Sequence, residues 1–530
     1  MRKKILLIGA LITSLTILTG CRTSRKYEDY KLAYAQGQYM ESVNVFNDDM
    51  EDRIDDAGSG KDGRPNTVPG SRDYSLDDME IGSGYRAAQE FSTSTKAFER
   101  AEQGIRDQQE ASLAGDTALQ VSAVFTNDNY LPYQVQAYDS IMVNTYKAMN
   151  LLQEGEIDKA RVEFRRVEER QRMAVEEFKK QIAKEREDER RSHNSKNTAN
   201  SQASDEGGLK GVVYSLIAEK FDEAKDVVTG AIREGDNRRK MDEYEQTFSA
   251  DTWGAQEAFS NPFASFMQGL FLLLYGEDQS DAEAAVFAFT RAFRKENNPV
   301  RNPPAQALVL ATEVANNRRQ TANLNNKVFV IFENGLGPEL QEYTLPIVIP
   351  MRFNSGVMIV DASLVLPKLV KRNEAFPYIS VCNNGMELAK TISVCNMDAV
   401  VASEFRERMP RILLRNVIQS GIKSVLQVLI VKALEDQGVP TILSSPVIAA
   451  VFHFTKAADL RIWSSLPKNF QVAIVDRPAS GILQFMVPGA PAPIGTANIP
   501  AGSAAIVFVH TPSPQVPLTI NVISTVTKKY

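Results

Sequence analysis

The side chains able to do acid–base, nucleophilic or metal chemistry are few and scattered. Three histidines occur in 530 residues: His193 in a Ser/Asn-rich stretch, His453 inside an apolar run, and His510 at the end of a strand-like run. No two lie at ligand spacing, and His453, bracketed by Phe452 and Phe454, reads as a core histidine rather than a base. No GxSxG elbow, P-loop or HExxH motif is present. Carboxylates are plentiful, yet nothing along the chain pairs two of them as acid and base. One cluster stands out, Asp459-Leu-Arg461-Ile-Trp463-Ser-Ser-Leu466-Pro467, which places an acid and a base two apart beside one of only two tryptophans. As a site it would be a polar pocket with an aromatic floor. As structure it would be an ion pair locking the segment onto a sheet, and this second reading is favoured. The chain therefore reads as a non-enzyme with no cofactor and no metal.

The N-terminus sets where such a chain works. Arg2, Lys3 and Lys4 precede an apolar run from Ile5 to Leu18, the plan of a secretory signal. A helix needs about 20 apolar residues to cross a bilayer, so this run is too short to be a comfortable span. Leu18-Thr19-Gly20-Cys21 resembles the lipobox of bacterial lipoproteins. That resemblance implies a signal over residues 1–20, diacylation of Cys21, and a mature chain hung from a membrane, since two acyl chains suffice for stable anchoring. Arg22 is not the Asp that retains lipoproteins at the inner membrane of enteric bacteria, so a periplasm-facing place on the outer membrane is expected. Net charge is −6; losing three signal cations, with no acid among residues 1–20, makes it −9. Neither value suggests nucleic acid. In an oxidising compartment Cys382 and Cys395, which flank Asn383-Asn384-Gly385 and the strand-like 391–394, read as one disulfide clipping a hairpin. Two buried thiols are the rival reading, and no neighbouring ligands favour a metal.

After a tether over residues 21–26, residues 27–325 carry helical grammar. Tyr30, Ala33, Gly37, Tyr39, Ser42 and Phe46 fall near the spacings of a tetratricopeptide repeat: small residues where helices touch, Gly at the turn, an aromatic on the second helix. Its second-helix signature recurs as Ser94/Phe98/Ala101, Ala160/Phe164/Val167, Ala224/Val228/Ala231 and Ala285/Phe289/Ala292. A helical hairpin cannot bury its apolar face alone, so such hairpins are expected to stack into a curved array. A loop is expected around residues 51–71. Residues 163–208 read as a charged helix, with Glu168/Arg172 and Glu176/Lys180 at i,i+4, that dissolves into a disordered Ser/Asn-rich segment. Asn261-Pro262-Phe263 supplies a helix cap and a first-turn proline. From residue 327 to 530 short β-branched runs predict strands, interrupted by a helical insertion at about 397–465. Asn334-Gly335 signals either a hairpin or, with Pro338, a loop. The fold class is thus multidomain: an N-terminal all-α, TPR-like array followed by a C-terminal α+β domain.

The lipobox, Tyr146 to Leu152 leading through Gly155 to Phe164, Asn261-Pro-Phe263, VFVIFENGL from Val328 and ADLRIWSSLP from Ala458 together resemble a family of uncharacterised bacterial envelope lipoproteins with tetratricopeptide-like helices. The resemblance implies the two-part architecture and carries over no catalytic residue. The charged excursion around 163–208 departs from it. The expected function is a lipid-anchored scaffold or regulator in cell-envelope assembly that holds an envelope protein partner on its helices. The alternative is a surface lipoprotein that binds a glycan, such as peptidoglycan, or another ligand.

Overall fold

Val328-Phe-Val-Ile-Phe332 is apolar at every position, which marks a strand buried on both faces. In the computed structural model, which describes residues 26–46, 74–114, 133–190, 208–233, 235–292, 302–317, 323–353, 356–440 and 458–525, this strand is the middle of the molecule. β1 (Lys327–Asn334) lies between β12 (Ala505–Thr511), to which it runs parallel, and β9 (Asn469–Asp476), to which it runs antiparallel. With β8 (Ile392–Asn396) and β13 (Thr519–Ser524) they form a five-stranded sheet in the order β13-β12-β1-β9-β8. A four-stranded sheet, β11-β10-β6-β7, covers one face; its strands are β6 (Ser380–Asn383), β7 (Met386–Lys390), β10 (Ile482–Met486) and β11 (Gly495–Asn498).

The period of two in a strand decides what faces what. Val328, Val330 and Phe332 of β1, with Val507 and Val509 of β12, pack against Ile379, Val381, Leu483 and Phe485 of the second sheet. Phe329, Ile331, Phe470, Val472, Ile506 and Phe508 point the other way, into one continuous core shared with the helices. The molecule is therefore layered as helices, sheet, sheet. The hairpin alternative at Asn334-Gly335 is not used: Gly335, at φ +66°, donates to Thr511 O, and β1 does not pair with β2 (Glu339–Leu345). β2 pairs instead with β5 (Leu364–Val370), and β3 (Val348–Phe353) with β4 (Gly356–Asp361).

The helical layer opens with α1 (26–35) and α2 (39–46), followed by α3 (Tyr74–Ala87), α4 (Phe91–Ala114), α5 (Ala137–Gln153) and α6 (Ile157–Arg190). These make three hairpins closed by the same turn. Gly37, Gln89 and Gly155 take φ of +77°, +66° and +77°. The next residue of each turn donates five residues back, as Gln38 to Ala33 O, Glu90 to Tyr85 O and Glu156 to Leu151 O, a Schellman closure. The second-helix residues Ser94, Phe98, Ala101, Ala160, Phe164 and Val167 are all buried. Two glycines explain how tightly α3 is held: a Cβ at Gly82 would fall 2.6 Å from the Phe98 ring of α4, and one at Gly84 2.5 Å from Val43 of α2.

After α7 (Gly208–Arg233) and α8 (Gly235–Gln246) come α9 (Pro262–Tyr275), α10 (Gln279–Ala292) and α11 (Pro303–Ala315), the next stacked group. Asn261 caps α9 as expected, accepting from Ala264 N at 3.1 Å with Pro262 in the first turn. The signature Ala224/Val228/Ala231 does not make a hairpin of this kind. α7 packs on α12 (Met397–Asp436), the helical insertion of the strand region, and a Cβ at Gly421 would meet Val228 at 2.7 Å. Residues 412–436 of α12 are long and apolar enough to cross a bilayer, yet they lie against α7 and strands β3 to β5. The charged stretch from Glu163 is helical to Arg190, with Glu168 reaching Arg291 of α10 at 3.0 Å. Residues 1–25, the loop expected at 51–71, and 191–207 lie outside the described residues, and so does His453.

Cys382 and Cys395 are not joined. Cys382 is on β6 of the four-stranded sheet, opposite Gln484 and Glu387, whereas Cys395 is on β8 of the five-stranded sheet, opposite Phe470. The expected disulfide is thus corrected. A Cys-flanked Asn-Asn-Gly turn does close a hairpin, β6–β7, but β8 then leaves for the other sheet and carries its thiol to Asn261 and Met397.

Candidate functional site

The chemistry-bearing side chains gather where helices and strand region meet. α3 sends one stripe, Glu80, Ser83 and Arg86, toward the sheet. Glu80 is fully buried and grips Ser464 and Ser465. Its Oε1 accepts from Ser464 N and Oγ, both at 2.6 Å, and its Oε2 accepts from Ser465 N at 3.2 Å and from Ser465 Oγ. Burial pushes the Glu80 carboxyl up, and these donors pull it back. Trp463 enters the array beside them. Its Nε1 donates to Ser83 Oγ at 2.9 Å and Ser465 Oγ at 3.0 Å, and its ring lies 5.9 Å from Phe98 and 6.0 Å from Tyr146. The expected cluster is therefore divided. Asp459 and Arg461 form a bidentate pair at 2.8 and 2.6 Å, while Trp463 leaves them for the helical core. The segment 458–467 is thus tied to α3 through Glu80 and Ser83, with Trp463 packed beside Phe98 and Tyr146.

A second group lies one helical turn along α3. Arg86 Nη2 bonds Glu333 of β1, and Tyr146 OH reaches the same carboxylate at 3.3 Å. The sheet explains why these residues meet. Glu333 falls on the helix-facing parity of β1 with Phe329 and Ile331, and its register partner across the parallel pairing is His510. Tyr34 and Tyr39 of the first hairpin pack on the imidazole at 6.2 and 5.9 Å. Among the described residues, neither His510 ring nitrogen nor Arg86 Nε has a hydrogen-bond partner. Burial, with Arg86 beside it, holds His510 neutral, its pKa down at about 3. A narrow cleft opens here, lined by Arg86, Gln89, Gln153, Glu333, His510 and Thr519 among others, of about 420 Å³ with its open mouth included.

Farther into the array, Lys147 of α5 is buried between Glu102 of α4 at 2.7 Å and Glu163 of α6 at 3.0 Å, and Asn144 adds a bond to Glu163 at 2.8 Å. These groups fix the register of three helices rather than hold a substrate. At the N-terminus of α5, Asp139 closes a capping box and accepts from Tyr133 OH at 2.7 Å, while Glu404 of α12 accepts from Ala137 N at 3.0 Å. Burial pushes Asp139 up to about 7 and Glu404 up to about 8, against the pull of Arg408 and the backbone donors.

That shift fixes a pH dependence. Between the ordinary unfolded values near 4 and the folded values, the native state binds more protons than the unfolded chain, so stability falls as pH rises. The contribution is complete below about pH 4 and is lost through pH 7 to 8, at up to about 1.4 kcal/mol per pH unit for each group. The melting temperature of the full chain should drop between pH 6 and 8.5. Glu404→Gln should flatten that slope; an unchanged slope would remove these two acids as its cause.

No group of three or more His, Cys, Asp and Glu residues suited to a metal occurs among the described residues. The site residues visible along the chain were Trp463, Asp459 and Arg461; Glu80, Arg86 and Glu333 went unseen. The one local hint was Gly82-Ser83-Gly84 inside an acidic helix, where small residues mark close approach. What the geometry displays is a polar seam between the helices and the sheet with a cleft beside it. Compared with protein-family models, with curated proteins and with solved structures, the chain matches none.

Proposed function

We propose that this chain is a lipid-anchored envelope protein whose TPR-like helices hold a protein partner, a scaffold or regulator in cell-envelope assembly. The observation that carries the reading is the set of three hairpins with one shared Schellman turn, Gly37, Gln89 and Gly155, stacked side by side. Stacked hairpins of one geometry build a long, regular surface suited to a partner chain. The Glu80 and Ser83 stripe of α3 is taken by segment 458–467, so the partner would bind elsewhere on the helices. Exposed large apolar residues offer a place for it: Phe287 of α10 is 70% exposed and Val309 of α11 is 58% exposed, in the next stacked group of helices. Aromatic anchors of this kind dominate interface energetics. The lipid on Cys21 would raise the concentration of the array near a membrane-bound partner.

The test is a photo-crosslinking side chain placed at Phe287 or Val309 of the lipidated protein in native envelopes. One envelope protein should crosslink in stoichiometric yield from both positions and be lost in Phe287→Asp. No crosslink from either position, together with binding of wall or glycan fragments by the purified mature chain, would replace the scaffold with the ligand-binding alternative.

A further inference from the structure

The cleft at the ends of β1 and β12 is independent of the scaffold reading, because it lies on the sheet side of the array and faces the first hairpin. Three of its polar atoms have no hydrogen-bond partner among the described residues: Arg86 Nε and both nitrogens of His510. Arg86 is itself only 8% exposed, so its unused donor is held away from bulk water, and a buried unmatched donor is a standing demand for an acceptor. Charge in the cleft is balanced. Arg86 is matched by Glu333, and the imidazole is neutral, so neither an anion nor a cation finds a net opposite charge there. The walls mix aromatic faces, Tyr34, Phe91 and Phe508, with the amides of Gln89 and Gln153. The 420 Å³ takes in open solvent at the mouth and the enclosed space is far smaller, room for one compact group and not for a large molecule.

We infer that this cleft binds a neutral secondary amide of acetamido size, its carbonyl oxygen accepting from Arg86 Nε and a His510 N–H and its methyl lying against the aromatic wall. Two sources offer that chemistry, the acetamido group of an amino sugar and the amide of a peptide. Thr519 of the edge strand β13 is part of the lining.

Saturation-transfer NMR on the purified mature chain tests this with four probes: N-acetylglucosamine, N-acetylalanine amide, glucose and acetate. The acetyl methyls of the two amides should be enhanced, and glucose and acetate should stay silent. His510→Phe keeps a ring against Tyr34 and Tyr39 and removes both nitrogens; it should weaken amide binding about tenfold, the order of one lost hydrogen bond. If that variant fails to fold, Thr519→Trp, which puts a large ring into the lining, should fill the cleft and abolish the signal. A tenfold preference for the amino sugar would assign a glycan source, and one for the blocked amino acid a peptide source; either sustains amide recognition. Silence of both amides at millimolar concentration, acetate binding as well as they do, or binding undiminished in both variants would overturn it.

Discussion

Glu80→Ala is expected to destabilise the chain by about 3–5 kcal/mol, the range seen when one side of a buried charged interaction is removed. The carboxylate is fully buried and its two oxygens receive four donors from Ser464 and Ser465. Truncation leaves two backbone N–H groups without an acceptor, each costing about 1–3 kcal/mol, and opens a space beside Trp463. Glu80→Gln is the instructive companion. It keeps the volume, but its amide NH2 faces donors where an acceptor is required, so it should lose nearly as much as Ala. Denaturant midpoints of the three proteins check this. A loss below about 1 kcal/mol in Glu80→Ala would mean that Ser464 and Ser465 are not held by this residue.

Arg86 and Glu333 give the second large effect, and a double substitution separates the charge from the packing. Arg86→Leu strands the Glu333 carboxylate among apolar neighbours with only Tyr146 at 3.3 Å, and should cost about 3–5 kcal/mol. Glu333→Leu should cost a similar amount, because it strands the guanidinium. Arg86→Leu with Glu333→Leu removes both charges and both desolvation penalties. It should be less destabilised than either single change, since buried pairs are often replaced by apolar residues without loss. The imidazole reports the same event: without Arg86 the pKa of His510 should rise from about 3, while burial, the larger cause, still holds it below the ordinary histidine range, a change visible in its ring proton shifts. Additive losses in the double variant, with an unmoved His510, would show that the two residues do not act as a pair.

What could be read along the chain was whatever is written locally. The change from helix to strand grammar at Lys327 is where β1 begins, because Val328 to Phe332 has the β-branched and aromatic content that only a strand buries on both faces. The hairpin turns were legible at Gly37 and Gly155, where glycine announces a left-handed residue. The one at Gln89 carries no such mark. Asn261-Pro262 declared a cap and was one. Long-range facts were another matter. Glu80 and Ser464 are 384 residues apart, and nothing in an acidic helix says which of its carboxylates will be buried. Glu333 and His510 share a face only because β1 and β12 pair in parallel register, which no local pattern encodes. The disulfide expectation failed for the same reason: Cys382 and Cys395 are close in sequence, and the chain changes sheets between them. Ala224/Val228 shows the limit of the repeat signature, since small residues at that spacing serve any close helix contact, here with Gly421 of α12.

Segment 458–467 is held against the helical layer by Glu80 and Ser83 of α3, which grip Ser464, Ser465 and Trp463. Hydrogen–deuterium exchange of the intact protein tests it most directly, by comparing the peptide containing Trp463, Ser464 and Ser465 with that of β1. If Glu80 holds those two amides, they should exchange as slowly as the amides of β1, and Glu80→Ala should speed them by orders of magnitude. Exchange of the Ser464 and Ser465 amides within seconds, while β1 stays protected, would show that Glu80 does not hold the segment against α3.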